Sequence, residues 1–536
     1  MTNPVDFARA GPQTFPEAIA RHAVTCPTHV FLRDGESSLT YRETHEAIER
    51  LAAVFASHGI GSEQRCVILM ENGLDYALAW LALARLGAIS VLINQAHLGD
   101  ILEHQLRLAA PDAFVLDEVQ AGKLAALPDQ SQIEGATVFH GTSAAPAAAP
   151  YPMGARVVDL WRAPGDPAAL APIERPALSA IQSIFYTSGT TGPSKAVAYT
   201  HTQSWQTAWT VAEHLDATDV FYMTNPMCHV SLPHCLGAAL LAGGTLAVRA
   251  KFSASSFWSD VRAYGATVTM MLGSVANFVA SRPVAPDDRK HPLRKVLMVP
   301  LLEDVSDFCA RFGVTVMSWF NMTELSVPLH TGGFSHMAEP LPLRPRAGAM
   351  VRIVDADDRP LAPGTPGELV VRHDTPWQIS RGYWRNAEAT VDAWRNQWFH
   401  TGDLFVENPP GHYRFLDRMK DCIRRRGENI ASFEVEQQIL CHAAVEEAAV
   451  VGVASADGEQ EVLAVVVLKA DASLAPEELL DFLGDRLPHF CVPRYVTPRR
   501  EPLPKTPTGK VIKTELRETA VREAWDREQH GYRRRR

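Results

Sequence analysis

Two kinds of apolar spacing alternate along residues 15–120. Segments such as FPEAIARHAV and TYRETHEAIERLAAVFASHG place apolar residues three and four positions apart, which predicts amphipathic helices. Between them lie the short apolar runs RCVILM, ISVLIN and DAFVLD, which are typical of buried strands. Because strands that alternate with helices usually form a parallel sheet, this region predicts a layered α/β architecture. The apolar stretch YALAWLALARLGAISVLIN carries Arg85 near its middle, so it predicts a buried helix that runs into a strand rather than a membrane span.

The pattern changes further along the chain. Residues 141–179 are rich in Ala and Pro and predict a surface connection, after which helix and strand patterns return. From Gly348 onward, short alternating segments with turns predict an antiparallel β subdomain. We therefore expect an α/β protein with a large N-terminal domain, residues 1–417, built from layered α/β/α subdomains plus this β subdomain. A small, mobile α+β C-terminal domain, residues 418–536, should follow.

Composition narrows the class of protein. The chain has 536 residues, of which 46% are hydrophobic and 21% are charged, as expected for a soluble multidomain protein. A net charge of −10 gives no reason to expect nucleic acid or an anionic membrane as a partner.

Eight cysteines without a CxxC pair favour reduced thiols in the cytoplasm, and the N-terminus does not resemble a secretory signal. A zinc site at Cys228, His229, His234 and Cys235 is disfavoured, because the spacing matches no common ligand pattern.

The segment YTSGTTGPSK, residues 186–195, lies between the strand-like runs AIQSIFY and AVAYTH, which predicts the tip of a hairpin. It is not a Walker A loop, because Pro193 and Ser194 separate Gly192 from Lys195 and no helix follows directly. Hydroxyls, glycines and one lysine suit a loop that holds phosphates through amides, hydroxyls and a cation. The alternative is a solvated polar turn.

Four later segments combine with this loop. They are, in chain order, NMTE, TGD, DRMKDCIRRRGENI and PLPKTPTGKVIK. In this order the set resembles the adenylate-forming superfamily of acyl-CoA synthetases, peptide-synthetase adenylation domains and luciferases, and the resemblance spans nearly the whole chain. It implies an ATP-dependent acid–CoA ligase, which forms an acyl-adenylate with release of pyrophosphate and then transfers the acyl group to coenzyme A.

The resemblance also implies roles for individual residues. ATP would be held at Thr187, Ser188, Gly189, Thr190, Thr191, Gly192, Lys195, Phe320, Asn321, Asp403 and Arg418. Thr323 would contact the α-phosphate, Glu324 would bind Mg²⁺, His229 would border the acyl carboxylate, and Lys510 would be the catalytic lysine of adenylation. Lys420 would be the hinge between the domains. Coenzyme A would meet Gly427, Glu428, Asn429 and Arg424, with Arg425 and Arg426 beside it.

The sequence departs from the family pattern near adenine. Phe320 and Asn321 stand where Tyr and Gly are usual, and Val299 and Pro300 lie where a Gly-Gly-Ala stretch is usual. The segment VLMVPLLEDVSDFCARFG, together with RRRGENIASFEVE, looks most like bacterial carnitine/crotonobetaine-CoA ligase-type sequences. The departures also permit an enzyme that performs only the thioester half-reaction on a supplied adenylate.

The remaining alternatives concern function and substrate. A non-catalytic nucleotide-binding protein of the same fold would not need Lys510, and no carrier domain follows the C-terminal segment. Trp205, Trp209 and Trp319 could face a quaternary-ammonium acid, although the first two have the spacing of core residues on a helix. We expect a small-molecule carboxylic acid as substrate and a cytoplasmic location. A homodimer is one option for the assembly, and the acid itself is not identified.

Overall fold

The computed structural model describes residues 14–143, 151–152, 154–173, 176–187, 194–253, 255–280, 282–302, 304–338, 341–425, 428–454, 460–506 and 510–532. Contacts divide the described chain into two compact units. The first unit extends to Met350 and includes Arg372–Asp392, and the second consists of Val351–Val371 and Ala393 onward. This division reflects contacts within the chain and does not locate a point of rotation. The domain boundary at residue 417 and the hinge at Lys420 therefore stay predictions.

Local sequence signals explain where the first helices begin. Thr14 accepts a hydrogen bond from the Glu17 amide at 3.4 Å, and the Glu17 carboxylate accepts from the Thr14 amide at 2.8 Å. Thr40 and Glu43 form the same capping box one helix later. The α-helices are α1 Phe15–Thr25, α2 Tyr41–Ser57, α3 Leu74–Arg85, α4 Gly99–Ala109, α5 Glu118–Ala125, α6 His201–Ala212, α7 Ser231–Ala242, α8 Phe257–Tyr264, α9 Gly273–Ala280, α10 Val305–Phe312, α11 Ala387–Ala393, α12 Ser432–Leu440, α13 Pro476–Gly484 and α14 Lys513–Thr519.

Two seven-stranded, mostly parallel sheets form the described framework of the first unit. Their strands are β1 Val30–Asp34, β2 Ser37–Thr40, β3 Arg65–Leu69, β4 Ile89–Leu92, β5 Ala113–Leu116, β6 Thr137–His140, β7 Arg156–Asp159, β8 Ile181–Thr187, β9 Lys195–Thr200, β10 Val220–Met223, β11 Thr245–Val248, β12 Val268–Leu272, β13 Lys295–Val299 and β14 Thr315–Met317. The strand order is β14-β13-β12-β10-β11-β1-β2 in one sheet and β7-β6-β5-β3-β4-β8-β9 in the other. A small antiparallel sheet adds β15 Trp319–Met322, β16 Ser326–His330 and β17 Arg344–Pro345.

The side chains of each large sheet alternate between two cores. In β3, Ile68 packs into the apolar cluster shared with α1, α2, α3, α6 and α7, whereas Leu69 packs against α4 and α5 on the opposite face. In β10, Met223 belongs to the same shared cluster, and Tyr222 packs on the other side. Both sheets are therefore covered on both faces, which explains the continuous apolar runs of their strands. The predicted α/β class and layered arrangement are confirmed.

Several local expectations are met, and one is not. The long apolar stretch forms the buried helix α3 followed by β4, and no helix within the described ranges is long and apolar enough to cross a membrane. The runs on either side of the predicted phosphate loop form the antiparallel hairpin of β8 and β9. The Ala- and Pro-rich stretch is not only a connection, because residues 156–159 extend one sheet as the edge strand β7. An edge strand has a single paired neighbour and needs few apolar residues, which is why composition concealed it.

The second unit is built on smaller sheets. The β subdomain contains β18 Ala349–Val354, β19 Gly367–His373, β20 Phe399–Glu407 and β21 Tyr413–Arg418, which follow one another across one sheet. The C-terminal part contains β22 Ile423–Arg425, β23 Glu428–Ile430, β24 Val445–Ala454, β25 Gln460–Leu468, β26 Tyr495–Arg499 and β27 Trp525–Asp526. Helices α12 and α13 cover one face of the β24–β27 sheet, and α14 covers the other. The predicted β subdomain and α+β segment are both present.

Candidate active site

The predicted phosphate loop lies at the tip of the β8–β9 hairpin. Thr187 ends β8 and Lys195 begins β9, and the Thr187 hydroxyl donates to the Lys195 carbonyl at 3.4 Å. Helix α4 supports the base of the hairpin: the Gln105 carbonyl accepts from the Tyr186 hydroxyl at 2.6 Å, and its side-chain amide donates to Ser194 Oγ at 3.3 Å. The predicted loop residues Ser188, Gly189, Thr190, Thr191 and Gly192 lie outside the described residues.

Thr323 and Glu324 lie in the turn between β15 and β16, and both are buried. The side-chain amide of Gln203 donates to the Thr323 carbonyl at 2.9 Å and to the Glu324 carbonyl at 3.2 Å. The Ser380 amide donates to the same Glu324 carbonyl at 2.7 Å. Because separate segments of the chain hold the backbone of this turn, the Thr323 hydroxyl and the Glu324 carboxylate have defined positions.

Tyr383 joins the phosphate-loop hairpin to this turn. Its hydroxyl donates to Glu324 Oε1 at 2.8 Å, and Lys195 Nζ lies 4.7 Å from the centre of its ring, which is a cation–π contact. Burial, followed by the charge of Glu324, raises the pKa of Tyr383 far above its usual value, so the hydroxyl keeps its proton and remains a donor. The role of Tyr383 is not visible in the sequence patterns considered above, because its hydrogen bond joins residues 59 positions apart.

Glu324 fits a magnesium ion. One carboxylate oxygen accepts from Tyr383, and the carboxylate keeps further lone pairs for a cation. Mg²⁺ is usually bound by one or two carboxylates together with substrate phosphates and water, so one buried carboxylate beside the base of the phosphate loop is a sufficient protein contribution. In the part of the chain that the structure describes, no group of three or more His, Cys, Asp or Glu side chains could hold a metal by itself.

Strand β15 carries the two residues predicted beside adenine. It pairs with β16 through Phe320↔Leu329 and Met322↔Ser326, with a register shift between the two pairs. Asn321 therefore occupies an irregularity in the strand, directly before the turn that contains Thr323. Such bulges re-aim neighbouring side chains and are frequent beside active sites.

Of the residues considered for the acid, His229 lies just before helix α7, Trp319 lies on β15 and Trp205 lies on α6. His229 is half-buried in the segment that precedes α7, and His234 in the first turn of α7 stacks on Trp319 with the ring centres 4.7 Å apart. Burial lowers the pKa of His234 to about 3, so its ring is neutral at physiological pH. Trp205 is a core residue that stacks with Phe15, and it is not available to a substrate.

The second unit brings together the residues predicted to hold ribose. Asp403 on β20 and Arg418 on β21 are register partners, and Arg418 Nε lies 3.6 Å from Asp403 Oδ1. The Asp403 side chain is only 4% exposed, whereas that of Arg418 is 36% exposed, so the arginine reaches from solvent over a buried carboxylate. A carboxylate beside a guanidinium keeps acceptor lone pairs and can accept hydrogen bonds from hydroxyl groups.

The three adjacent arginines do not share one role. Arg424 on β22 is exposed, as a contact to coenzyme A requires. The side chain of Arg425 points to the opposite face, is 2% exposed and forms an ion pair with Glu461 at 2.6 Å. The expectation that Arg425 assists coenzyme A is therefore wrong. Arg426 and Gly427 lie outside the described residues, and Glu428 and Asn429 are described only by their backbone in β23.

Lys510 and Lys420 lie in the second unit. Lys510 is exposed, its amide donates to Thr506 Oγ1 at 3.1 Å, and its carbonyl accepts from the Thr506 amide at 2.7 Å. Lys420 is also exposed, directly after β21, and its carbonyl accepts from Arg517 at 3.4 Å. Partial burial, followed by the charge of Arg418, lowers the pKa of Lys420.

Known proteins resemble this chain over most of its length. The family model described as "AMP-binding enzyme" matches residues 19–384, and the model described as "AMP-binding enzyme C-terminal domain" matches residues 434–510. A crotonobetaine/carnitine–CoA ligase of Salmonella enteritidis PT4 is 30% identical over 509 residues, which cover 89% of this chain and 93% of that relative.

Solved structures have the same fold. The anthranilate CoA ligase AuaEII in complex with anthranoyl-AMP superposes with a TM-score of 0.83 at 19% identity, covering 95% of this chain and 97% of that one. The o-succinylbenzoate CoA synthetase MenE of Bacillus subtilis, in complex with ATP and magnesium ion, gives a TM-score of 0.76 at 22% identity, covering 94% and 98%. The chain therefore belongs to the AMP-binding enzyme family, and the predicted membership of the adenylate-forming superfamily is confirmed.

Proposed function

We propose that this chain is an AMP-forming acid–CoA ligase that uses both the first-unit and the second-unit residues described above. The observation that carries the proposal is the contact of Tyr383 with both Lys195 and Glu324. It places a cation from the phosphate loop and a carboxylate suited to Mg²⁺ on the same side chain. This is the juxtaposition that binding of a nucleoside triphosphate with its metal requires.

In the first step, a carboxylate oxygen of the acid attacks the α-phosphorus of ATP, and the bond to pyrophosphate breaks. Little covalent help is needed from the protein, so positioning and charge stabilisation dominate the catalysis. Lys195 neutralises phosphate charge, and Thr323 contacts the α-phosphate. Glu324 would hold Mg²⁺, which supplies charge neutralisation on the phosphates when bound. Lys510 stabilises the negative charge that develops between the carboxylate and the α-phosphate.

In the second step, the thiolate of coenzyme A attacks the acyl carbon, and the bond to AMP breaks. In both steps, the Asp403 carboxylate accepts hydrogen bonds from the ribose hydroxyls, and Arg418 lies beside it. His229 borders the reacting carboxyl group, and Arg424, exposed on β22, meets the phosphates of coenzyme A. Rotation at Lys420 exchanges the segment around Lys510 for the segment around Asn429 between the steps.

The test is pyrophosphate release from ATP with a panel of carboxylic acids, which includes crotonobetaine, carnitine, and aromatic and short aliphatic acids. Thioester formation from coenzyme A is followed by mass spectrometry in the same samples. We expect both products with at least one acid, and loss of pyrophosphate release in Lys510→Ala. Lys469→Ala is the matched control, because Lys469 Nζ donates only to a backbone carbonyl at 2.8 Å on the surface of the same unit.

Two outcomes would replace the proposal by an alternative. Thioester formation from a synthetic acyl-adenylate, without pyrophosphate release from ATP, would favour an enzyme restricted to the second half-reaction. Binding of ATP without either product would favour a non-catalytic nucleotide-binding protein.

The cellular location and the oligomeric state of the enzyme are predictions. All eight cysteines are free, which supports the predicted cytoplasmic location, because reducing compartments keep thiols unpaired. The possible homodimer remains a prediction.

A further inference from the structure

Lys513 begins helix α14, three residues after Lys510, and lies in a largely buried polar cluster. Its Nζ donates to Ser432 Oγ at 2.6 Å and forms an ion pair with Glu436 Oε1 at 2.7 Å. The Lys513 and Glu436 side chains are only 14% and 13% exposed. Glu436 also accepts from the Val450 amide at 2.8 Å, so the partner of the lysine is itself fixed to the central strand β24.

The same cluster reaches the segment that carries the predicted hinge. The amide of Ser432 donates to Asp417 Oδ2, and the buried Asp417 carboxylate is close enough to interact electrostatically with Lys513. Asp417 precedes Lys420 by three residues. One ammonium group therefore compensates two buried carboxylates that belong to different elements, Glu436 on α12 and Asp417 on β21.

A second contact lies one turn further along α14. Arg517 Nη2 donates to Asp421 Oδ1 at 2.8 Å and to the Lys420 carbonyl at 3.4 Å. Lys513 and Arg517 are four positions apart, so they project from the same face of the helix. This face therefore contacts Lys420 and Asp421, in the hinge segment of residues 417–421, through Arg517, and it lies within electrostatic range of Asp417 through Lys513.

Backbone pairing next to helix α14 restricts the position of the Lys510 backbone. The Ile512 amide donates to the Pro504 carbonyl at 2.8 Å, and Lys505 and Val511 form a bridge beneath Lys510. Lys505 Nζ is held by Glu447 at 2.6 Å. The backbone of Lys510 is thus held by its pairing with Thr506 and, on the other side, by the first turn of α14.

We propose that Lys513 is a positioning residue for adenylation, with Arg517 in support, because Lys513 fixes the start of helix α14 to α12, Arg517 fixes the helix to the hinge segment, and together they set the position of Lys510. The proposal rests on the proposed function and goes beyond it by assigning a role to residues that do not touch the substrate. Removal of the Lys513 ammonium breaks the ion pair and the hydrogen bond that hold α14 against α12, and it leaves Glu436 and Asp417 buried without their shared cation.

The test compares Lys513→Met, Lys513→Arg and Arg517→Met with Lys469→Met, the surface-lysine control, in the full-length enzyme. We expect Lys513→Met to lower kcat for pyrophosphate release by about tenfold or more, with the KM for ATP nearly unchanged, because small displacements of a catalytic group have such effects. Thioester formation from synthetic acyl-adenylate should change less than about twofold, since Lys510 acts in the first half-reaction only. Lys513→Arg should recover most of the lost rate, and Arg517→Met should show a smaller loss of the same kind.

A double-mutant cycle separates positioning from general stability. In the Lys510→Ala background, Lys513→Met should cause no further loss of adenylation, because its effect passes through Lys510. An equal loss in both half-reactions, or a full additional loss in the Lys510→Ala background, would overturn the proposal.

Hydrogen exchange gives a readout that needs no turnover. Amides of residues 510–516 should exchange about tenfold faster in Lys513→Met, while those of the central strands β24 and β25 keep their protection. Unchanged exchange at residues 510–516 would overturn the proposal. The proposed function is judged separately by the wild type, because failure of the wild-type enzyme to release pyrophosphate with any acid leaves this exchange comparison intact.

Discussion

The Tyr383 hydroxyl donates a hydrogen bond to Glu324 Oε1 at 2.8 Å, while Lys195 Nζ lies 4.7 Å from the centre of the same ring. One side chain therefore contacts both the cation of the phosphate loop and the carboxylate expected to bind Mg²⁺. A group that holds a metal ligand in place commonly governs how well the metal binds, although it touches neither metal nor substrate. We therefore expect Tyr383 to affect how the enzyme uses Mg²⁺-ATP.

Tyr383→Phe should weaken the use of Mg²⁺-ATP and leave the fold intact. A hydrogen bond to a charged group is worth roughly 1.5–3 kcal/mol, so we expect kcat/KM for ATP to fall by about tenfold or more, with a higher requirement for Mg²⁺. Tyr383→Leu should be worse, because it also removes the ring beneath Lys195. Titration of Mg²⁺ at fixed ATP checks the prediction, and a Phe variant with the wild-type Mg²⁺ dependence would contradict it.

Lys510→Ala should abolish adenylation and largely spare the thioester step. Removal of one preorganised donor to a transition state costs roughly 2.7–4 kcal/mol, which is about a 100- to 1,000-fold loss of rate. The two half-reactions are measured separately, one by pyrophosphate release and the other by thioester formation from synthetic adenylate. A similar loss in both would remove Lys510 from the proposed role.

Lys420→Pro should block the second half-reaction preferentially. Proline fixes φ near −65°, and rotation at residue 420 needs a change of backbone dihedral angles. Lys420→Ala is the control, because it removes the side chain and keeps the backbone free. Normal transfer to coenzyme A in the proline variant would place the hinge elsewhere.

Asn321→Gly should improve the use of ATP more than the use of a supplied acyl-adenylate. Asn321 occupies the register shift between Phe320 and Met322, and it stands where the family usually has glycine to permit close approach of a ligand. An acyl-adenylate has its acyl group as an additional contact and depends less on the purine side of the pocket. The measurement is kcat/KM for both substrates in wild type and variant, and an unchanged ratio would show that the departure is neutral.

Arg424→Ala and Arg425→Met should separate two adjacent residues by function. Arg424 is exposed, and its loss should raise the KM for coenzyme A with little change in thermal stability. Arg425 is buried against Glu461, and removal of one partner of a buried ion pair costs about 3–5 kcal/mol of stability. Thermal unfolding together with the coenzyme A dependence of the second half-reaction distinguishes them. An exchange of these two phenotypes would contradict the placement of the side chains.

The sequence by itself determined the layered α/β fold, the hairpin of the phosphate loop and the β subdomain. Apolar spacing reports directly which face of each element is buried, and the ordered motifs identify the chemistry even where each motif is weak. The β20–β21 partnership of Asp403 and Arg418 also agrees with their joint assignment to ribose.

Only the tertiary structure decided which polar side chains meet. The spacing of three arginines could not reveal that Arg425 is buried, because burial of a charge depends on a partner, here Glu461, supplied by another strand. Tyr383 and Lys513 carried no local signal, since their partners are 59 and 77 or more positions away: Glu324 for the first, and Glu436 and Ser432 for the second. Periodicity encodes the face that a helix or strand buries, whereas contacts between polar groups depend on which elements the fold places side by side.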